Sequence, residues 1–234
     1  MRIGIDVRCL AEGRRTGVEE YTIGLLKSFI HSAENHHFVL FFNSWKGQPH
    51  LLGHFAEHSN VTLKSYKIPN KLLNFCLWYL RWPRLDRLMG RVDVVFAPNQ
   101  NFISVSRDVP LVITAHDLSF ELYPETFSWK QRLWHFLVNF RRLTHKAARV
   151  IAVSRSTKDD LVDSYGLAPE KIAVVHSGYD ERCQPLDRND PNLLEIQKRY
   201  KLPFKFILSF ATFEPRKNLL SVIEAYEELV KQGG

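Results

Sequence analysis

The sequence is poor in the residues that build disulfide-rich and metal-rich proteins. Its 234 residues include only three cysteines, Cys9, Cys76 and Cys183, which lie far apart and form no CxxC pair. An odd, widely spaced set argues against a disulfide framework or a structural zinc site and favours a reducing cytosol. No cluster with metal-ligand spacing is evident in the sequence, so we expect neither a metal nor another cofactor.

Long hydrophobic runs are also missing. The longest nearly apolar stretch, from Leu72 to Leu80, is interrupted by Asn74 and is far shorter than the ~20 residues that span a bilayer. Met1 and Arg2 lead directly into a strand-like segment, without the pattern of a secretory signal peptide. We therefore expect a cytoplasmic protein that is at most peripheral on the inner face of the cytoplasmic membrane.

Several catalytic signatures are absent as well. The sequence contains no GxxxxGK[ST], HExxH, GxSxG or EF-hand loop, and GxGxxG does not follow the first strand. These absences argue against a P-loop nucleotidase, a zinc protease, an α/β-hydrolase and a nicotinamide dehydrogenase. Nucleic-acid binding would rest on basic charge alone, without a recognised module, so we expect no nucleic-acid partner.

What the sequence does have is an ordinary globular composition with unevenly placed positive charge. Hydrophobic residues make up 45% and charged residues 24%, and the net charge is +7. Residues 64–91 carry seven Lys/Arg and one acid, and residues 126–158 carry eight Lys/Arg and no acid. Such blocks indicate an anionic partner, and a solvated basic face is the alternative interpretation. The candidate contacts with an anionic membrane or acceptor are Arg81, Arg84, Arg132, Arg142 and Lys146.

Both basic blocks coincide with predicted helical segments. Residues 128–149 read as one long helix with a cationic face and an opposite apolar face that includes Leu133, Phe136 and Leu143. We expect that apolar face to pack on a sheet. Residues 71–84 mix aromatic side chains with arginine, which is typical of an interfacial segment and equally of a core helix with a basic edge.

Short apolar strands alternate with helical patterns through the first 180 residues or so. The alternation predicts an α/β fold, a Rossmann-like parallel sheet with helices on both faces. The predicted strands are residues 2–8, 37–43, 61–66, 92–97, 110–115, 150–153 and 171–175, and the predicted helices are residues 17–31, 70–89 (broken near Pro83), 128–149 and 155–165.

The character of the chain changes after Gly178. Residues 181–203 are polar and contain three prolines, and a predicted strand at 204–210 then leads into an amphipathic helix. We therefore expect a complete domain over residues 1–182. Residues 183–234 would be a linker and the incomplete start of a second Rossmann-like domain, with the apolar face of its helix exposed or covered by an oligomer.

Ligands of open parallel sheets bind beyond the carboxyl ends of the strands, where three turns carry candidate residues. Gly17 opens a helix whose N–H groups favour an anion, or it is only a turn residue. His116, followed by Asp117, can donate or accept near neutral pH, or it is a structural histidine. Arg216 and Lys217 precede a helix N-terminus, where cations are unfavourable unless an anion is bound.

Short motifs occur along the chain in a recognisable order. They read TGVEEY at 16–21, HDLSF at 116–120, YPE at 123–125, VSRSTKDDL at 153–161, VVHSGYD at 174–180 and ATFEPRKN at 211–218. Together they resemble family 4 glycosyltransferases of the GT-B fold, which are retaining enzymes with two facing Rossmann-like domains. The HDLSF and EPRKN stretches are most similar to mannosyltransferase-type members that build polysaccharides and lipopolysaccharide.

The resemblance implies roles for the candidate residues. Gly17 would lie beside the donor diphosphate, and His116 would face the transferred sugar as the catalytic residue of the N-terminal side. Arg216 and Lys217 would neutralise the leaving diphosphate without a metal. The implied reaction moves a hexose such as mannose from a nucleotide-diphosphate donor to a glycan or lipid-linked acceptor, through front-face substitution.

The sequence also departs from the family pattern. Thr16-Gly17 stands where many members have two glycines, Ser177 stands where asparagine is common, and the second-domain E-x7-E motif that holds the donor in the family would lie beyond Gly234. The chain alone would therefore bind donor poorly. A non-catalytic module that binds an acceptor or a membrane is the competing hypothesis, and a reading frame continuing into E-x7-E would discriminate between the two.

Overall fold

The computed structural model describes residues 1–11, 16–33, 35–45, 47, 49–179, 183–187, 189–203 and 205–232. The chain forms two compact units. The first comprises Met1–Leu122 and Ser128–Gly178, and the second comprises Tyr123–Phe127 and Tyr179–Gly234.

A sheet of seven parallel strands forms the centre of the first unit, and it confirms the predicted α/β fold. The strand order is β3-β2-β1-β4-β5-β6-β7, so the direction of winding reverses between β1 and β4. In such sheets the crevice at the reversal is the usual ligand site. The strands are β1 Arg2–Asp6, β2 His37–Asn43, β3 Val61–Tyr66, β4 Val94–Ala97, β5 Leu111–Ala115, β6 Arg149–Ala152 and β7 Ile172–Val174.

Burial of the strands explains why their sequence signal is strong. In β2, an interior strand between β1 and β3, the run from Phe38 to Phe42 is almost completely inaccessible to solvent, so side chains on both faces of the sheet are covered. Gly4 in β1 is required by close packing, because a Cβ there would lie 2.3 Å from the Met89 sulfur. The core therefore holds the carboxyl ends of the central strands in fixed positions.

Helices connect the consecutive strands except β4 and β5, and two more helices belong to the second unit. They are α1 Gly17–Ser32, α2 His50–Ala56, α3 Asn70–Phe75, α4 Leu85–Leu88, α5 Ser119–Leu122, α6 Trp129–Val138, α7 Phe140–Lys146, α8 Arg155–Tyr165, α9 Pro191–Tyr200 and α10 Leu219–Lys231. A π-helical segment, Cys76–Leu80, extends α3. Within the described ranges, no helix is both long and apolar enough to cross a bilayer.

The predicted single helix over residues 128–149 is wrong in two respects. Asn139 adopts a left-handed conformation (φ 50°, ψ 68°) that ends α6, and its side chain accepts a hydrogen bond from the Arg142 backbone N–H at 3.0 Å to begin α7. The predicted apolar face is also not buried along its whole length. Leu143 is buried in α7, whereas Leu133 and Phe136 of α6 are exposed, Phe136 by 78%.

Other boundaries also differ from the sequence prediction. The first strand ends at Asp6, and Arg8–Ala11 form a 3-10 turn. Helix 70–89 is divided into α3, the π-helical segment and α4. Residues 205–210 form no strand although their sequence is strongly apolar, because a strand needs a hydrogen-bonded neighbour and the described residues offer them none. Phe210 is fully exposed.

The second unit contains α9 and α10. Asp190 caps α9 by accepting a hydrogen bond from the Asn192 backbone N–H at 2.8 Å. Apolar side chains of α10, including Val222, Ile223 and Tyr226, are exposed to solvent.

Candidate functional site

A polar cavity of about 350 Å³ lies at the point where the winding of the sheet reverses. We call it the switch-point cavity. Its walls come from the carboxyl ends of β1, β2 and β4 and from the start of α1, which is the position that parallel sheets use for ligands. Its lining includes one arginine and five amide side chains that can form hydrogen bonds with a ligand: Arg8, Asn43, Asn70, Asn99, Gln100 and Asn101.

Arg8 is the basic residue of this cavity, which Glu19 also lines, and it is almost fully buried. It forms an ion pair with Asp6, at 2.6 Å from Nη2 to Oδ2 and 2.9 Å from Nε to Oδ1. Nη2 also donates to the carbonyl oxygen of Phe102 at 2.8 Å. Nη1 is buried and has no hydrogen-bond partner among the described residues. Since Asp6 already balances the charge, Arg8 offers a ligand a hydrogen-bond donor rather than a net positive charge.

Gln100 presents the complementary group. Its Nε2 donates to His135 Nδ1 at 3.3 Å, while its Oε1 is buried without a partner in the described part of the chain. Two residues that line the cavity thus each hold a buried polar atom without a partner among the described residues, a donor on Arg8 and an acceptor on Gln100. A hydroxyl group both donates and accepts, so a polyhydroxylated ligand matches this pair.

His116 follows β5, and its side chain is fixed by contacts on two sides. Its Nε2 lies 2.9 Å from the Pro98 carbonyl oxygen, and its ring meets the Tyr21 ring edge-on at 4.8 Å. Burial lowers the pKa of His116, and this effect outweighs the Pro98 hydrogen bond and the Asp117 carboxylate, which raise it. The ring is therefore neutral at pH 7, with the proton on Nε2 and a lone pair on Nδ1.

Asp117, which follows His116, makes its side-chain hydrogen bonds to the next turn. The Asp117 Oδ1 atom accepts hydrogen bonds from the backbone N–H of Ser119 at 3.0 Å and from its hydroxyl at 2.6 Å. Asp117 thus stabilises the turn into α5, and its effect on His116 is electrostatic.

His135 is a second neutral histidine beside the cavity. It stacks on Phe120 with ring centres 4.1 Å apart and meets the Trp134 ring edge-on at 4.9 Å. Burial lowers its pKa, and Asp117 raises it to a smaller extent. Because the neutral Nδ1 can accept, it holds the amide nitrogen of Gln100 and thereby fixes the orientation of the amide group.

Gly17 lies beside the cavity as the first residue of α1. Thr16 and Glu19 form a reciprocal capping box there, with the Thr16 N–H donating to Glu19 Oε2 at 2.9 Å. A Cβ built on Gly17 would meet no atom of the described residues within 4 Å. Packing against the described part of the chain therefore does not require glycine at this position. Residues 12–15 of the same turn lie outside the described residues.

The remaining predicted donor residues belong to the second unit. Pro215–Lys217 form a 3-10 turn, followed by Asn218 in a left-handed conformation and then α10. Lys217 is exposed, and the Arg216 side chain lies outside the described residues. The prediction that these two residues bind phosphate stays a prediction.

Four of the predicted membrane or acceptor contacts lie together at a different place. Arg81, Arg84, Arg142 and Lys146 line a larger cavity of about 990 Å³, which Arg107 joins. Arg132 is exposed on α6 and does not line it. We call this space the basic–aromatic cavity. Among the described residues, no group of three His, Cys, Asp or Glu side chains is placed to hold a metal ion.

Sequence reasoning missed Arg8 and Gln100 as functional candidates. The sequence prediction extended the first strand through Arg8. In the structure Arg8 begins the turn that follows β1, at the carboxyl edge of the sheet. A usable signal was present in both cases: Asp6 and Arg8 end an apolar strand, and the amide run Asn99–Asn101 directly follows β4. Charged and amide side chains at such positions are candidates for ligand contacts.

Comparison with known proteins identifies relatives of this chain. The family model for Glycosyltransferase Family 4 matches residues 15–182. Serotype-specific mannosyltransferase WbdA of Escherichia coli is 28% identical over 118 residues, which are 50% of this chain and 14% of that protein. A second WbdA sequence is 27% identical over 124 residues, 52% of this chain and 15% of that protein. The chain therefore spans only a small part of the curated relatives it matches.

Solved structures share the fold. The crystal structure of Anabaena Alr3699/HepE in complex with UDP-glucose has a TM-score of 0.52 and 19% identity, and the match covers 86% of this chain and 50% of that one. The complex of the same protein with UDP and glucose gives the same TM-score at 18% identity. At this level of identity the similarity concerns the architecture.

Proposed function

The chain belongs to glycosyltransferase family 4, and from this membership and its site we propose that it contributes the acceptor side of a retaining hexosyltransferase. The proposed donor is a nucleotide-diphosphate sugar carrying mannose or a similar hexose. The proposed acceptor is a glycan or a lipid-linked glycan. The similarity to WbdA, a serotype-specific mannosyltransferase, supports mannose and a role in building polysaccharide or lipopolysaccharide.

The observation that carries this proposal is that two residues lining the switch-point cavity, Arg8 and Gln100, each hold a buried polar atom without a partner among the described residues. Arg8 Nη1 can donate to a sugar hydroxyl and Gln100 Oε1 can accept from one. Asn43, Asn70 and Asn99 add amide groups that both donate and accept. Since Asp6 balances the charge of Arg8, the cavity suits a neutral saccharide better than an anionic one.

His116 supplies the link between this cavity and the transferred sugar. The Pro98 carbonyl holds the ring, and the Asn99–Asn101 run that lines the cavity follows Pro98 directly. In the proposed role, the lone pair of Nδ1 accepts a hydrogen bond from a hydroxyl of the donor hexose. A neutral, fixed imidazole orients that sugar at little reorganisation cost.

The proposed chemistry is a front-face substitution. The acceptor oxygen forms the bond to the anomeric carbon as the bond from that carbon to the diphosphate oxygen breaks. The leaving diphosphate takes the bonding electrons and then the acceptor proton. Arg216 and Lys217 are the proposed groups that stabilise this charge, and Gly17 leaves room for the diphosphate at the start of α1.

The experiment separates acceptor binding from transfer. Transfer of radiolabelled mannose from GDP-mannose, and of hexoses from UDP-sugars, to mannose-terminated oligosaccharides is measured with this chain and with the reading frame that contains it. We expect this chain alone to bind the oligosaccharide but to transfer little or nothing. His116→Ala and Lys217→Ala should abolish transfer in the active form. No transfer from any nucleotide sugar by either form would favour a non-catalytic binding module.

A further inference from the structure

The basic–aromatic cavity is separate from the proposed transfer site. Leu111, the first residue of β5, and Ala148, which precedes β6, both line it. His116 instead follows Ala115, the last residue of β5. The basic–aromatic cavity therefore reaches the amino-terminal edge of the sheet, at the opposite end of the same strand. The proposed transfer chemistry gives this cavity no role.

The walls of the cavity concentrate positive charge. Arg81, Arg84, Arg107, Arg142 and Lys146 all contribute, and within the described residues none of them forms an ion pair with a carboxylate. Burial lowers the pKa of Lys146, and repulsion from Arg81 and the other arginines lowers it further. Mutual repulsion of this kind is relieved when anions bind between the cations.

Part of this cationic surface is rigidly built. Arg84 Nη1 donates to Ser104 Oγ at 3.2 Å and to the Val105 carbonyl oxygen at 2.9 Å. The Ser104 hydroxyl in turn donates to the Arg81 carbonyl oxygen at 2.7 Å. One buried serine thus connects the two arginines. The site holds its charges in place before any ligand arrives, which reduces the entropy lost on binding.

Exposed aromatic side chains, Tyr79 and Phe136 among them, line the cavity, and others occur in the same chain segments. Tyr79 and Trp82, from the segment between α3 and α4, are 68% and 65% exposed. The Phe75 ring stacks on Tyr79 at 5.7 Å, so this surface is ordered although it faces solvent. On α6, the side chains of Trp129 and Phe136 are also exposed, at helical spacing. A cluster of large exposed apolar groups marks an interaction surface.

We propose that this surface docks on an anionic phospholipid bilayer. The arginines and Lys146 would contact lipid phosphates, and the aromatic side chains would enter the interfacial region, where tryptophan and tyrosine are favoured. A soluble phosphate would need the charges alone, whereas the exposed aromatic groups require an apolar phase as well. The inference does not depend on the proposed transfer reaction.

The test measures cosedimentation of the 234-residue chain with vesicles. Neutral phosphatidylcholine vesicles are compared with vesicles that also contain phosphatidylglycerol, at low salt and in 0.5 M salt. We expect binding only to the anionic vesicles and its loss at high salt. Equal binding to both kinds of vesicle, or no binding to either, would overturn the proposal.

A charge-matched pair of variants locates the surface. Arg107→Glu/Arg142→Glu reverses two exposed cations of the cavity, and Lys27→Glu/Lys67→Glu reverses two exposed cations elsewhere in the first unit. The two variants have the same net charge. We expect the first to weaken anionic-vesicle binding by at least about tenfold more than the second. Equal weakening would show that only the overall charge matters and would contradict the assignment.

A second variant tests the apolar contribution and the source of the phosphate. Tyr79→Ser/Phe136→Ser should weaken vesicle binding without changing net charge, and circular dichroism melting checks that it folds. Glycerol 1-phosphate at millimolar concentration should not displace the wild-type chain from vesicles. Displacement by this soluble phosphate would mean that the site takes a free anion. Unchanged vesicle binding of a folded Tyr79→Ser/Phe136→Ser variant would show that the aromatic side chains do not contact the bilayer, and either result would overturn the proposal.

Discussion

The Nε2 atom of His116 lies 2.9 Å from the carbonyl oxygen of Pro98. A carbonyl oxygen can only accept, so this contact assigns the proton of the neutral ring to Nε2 and leaves the lone pair on Nδ1. In the turn that follows β5, His116 Nδ1 is therefore a hydrogen-bond acceptor with a fixed direction. The proposed contact between Nδ1 and the donor sugar requires the ring to remain neutral.

The pH dependence of stability tests that neutrality. Burial lowers the pKa of His116 below its ordinary 6.5, so the unfolded chain binds the proton first as the pH falls. The stabilising contribution is complete above pH 6.5 and is lost as the pH falls through the folded-state pKa. Urea unfolding at pH 7.5 and 5.5 should show a larger loss for the wild type than for His116→Gln. An equal loss would contradict a depressed pKa.

The transfer rate should also depend on the protonation of His116. If neutral His116 Nδ1 accepts a hydrogen bond from the donor sugar, kcat/KM declines on the acid side with a midpoint below pH 6.5. In the His116→Gln variant the rate should be much lower and this acid limb should disappear. The comparison uses the transferring form of the enzyme with saturating acceptor. An acid limb that persists unchanged in His116→Gln would assign it to another group.

Removing one partner of the Asp6–Arg8 ion pair should lower the free energy of unfolding more than removing both partners. Arg8→Met leaves the Asp6 carboxylate buried and uncompensated, which costs about 3–5 kcal/mol. The double variant Asp6→Asn/Arg8→Met should recover most of that loss in urea unfolding. It should nevertheless fail to bind saccharide, since it lacks the Nη1 donor. Wild-type saccharide affinity in the double variant would remove Arg8 from the site.

Gly17→Ala should separate stability from donor binding. The new methyl group meets no atom within 4 Å and alanine is the better helix residue, so stability should stay equal or rise by about 0.4–1 kcal/mol. The same methyl group would stand in the space proposed for the diphosphate. We expect KM for the nucleotide sugar to rise at least several-fold while Tm does not fall. An unchanged KM would leave Gly17 without a donor role.

Asn139 should be replaceable by glycine at lower cost than by alanine. Both changes remove the cap on the Arg142 N–H, worth ~1 kcal/mol. Alanine also has to adopt the left-handed conformation, which costs about 1–2 kcal/mol more. Thermal unfolding of the two variants measures the difference. Equal stability would indicate that the junction between α6 and α7 relaxes when the side chain is lost.

The sequence predicted the architecture well because burial leaves a strong local signal. Every strand of the sheet was predicted near its observed position, since each is a short apolar run between polar turns. The break at Asn139 was not predicted, because asparagine also fits the polar face of a continuous helix. The apolar run at 205–210 has the composition of a strand, but composition does not supply a pairing partner.

The candidate site was predicted only in part, because some of its residues have no distinctive local sequence signal. His116 and Gly17 stand out in the sequence because their chemistry is distinctive at the ends of strands and the starts of helices. Arg8 and Gln100 also lie near strand ends, but their unpartnered atoms become evident only when the hydrogen bonds are counted, atom by atom. That count depends on tertiary contacts with Phe102 and His135, which no local pattern encodes.

Saccharide binding by the switch-point cavity is the central claim, and calorimetric titration with a mannose disaccharide tests it most directly. The variants are Gln100→Met, which removes the unsatisfied acceptor at nearly constant size, and Gln197→Met on exposed α9 as the matched control. We predict that wild type and Gln197→Met bind alike and that Gln100→Met binds at least about tenfold more weakly, equivalent to ~1.4 kcal/mol. Equal affinity in all three folded proteins, or no binding by any of them, would contradict the account.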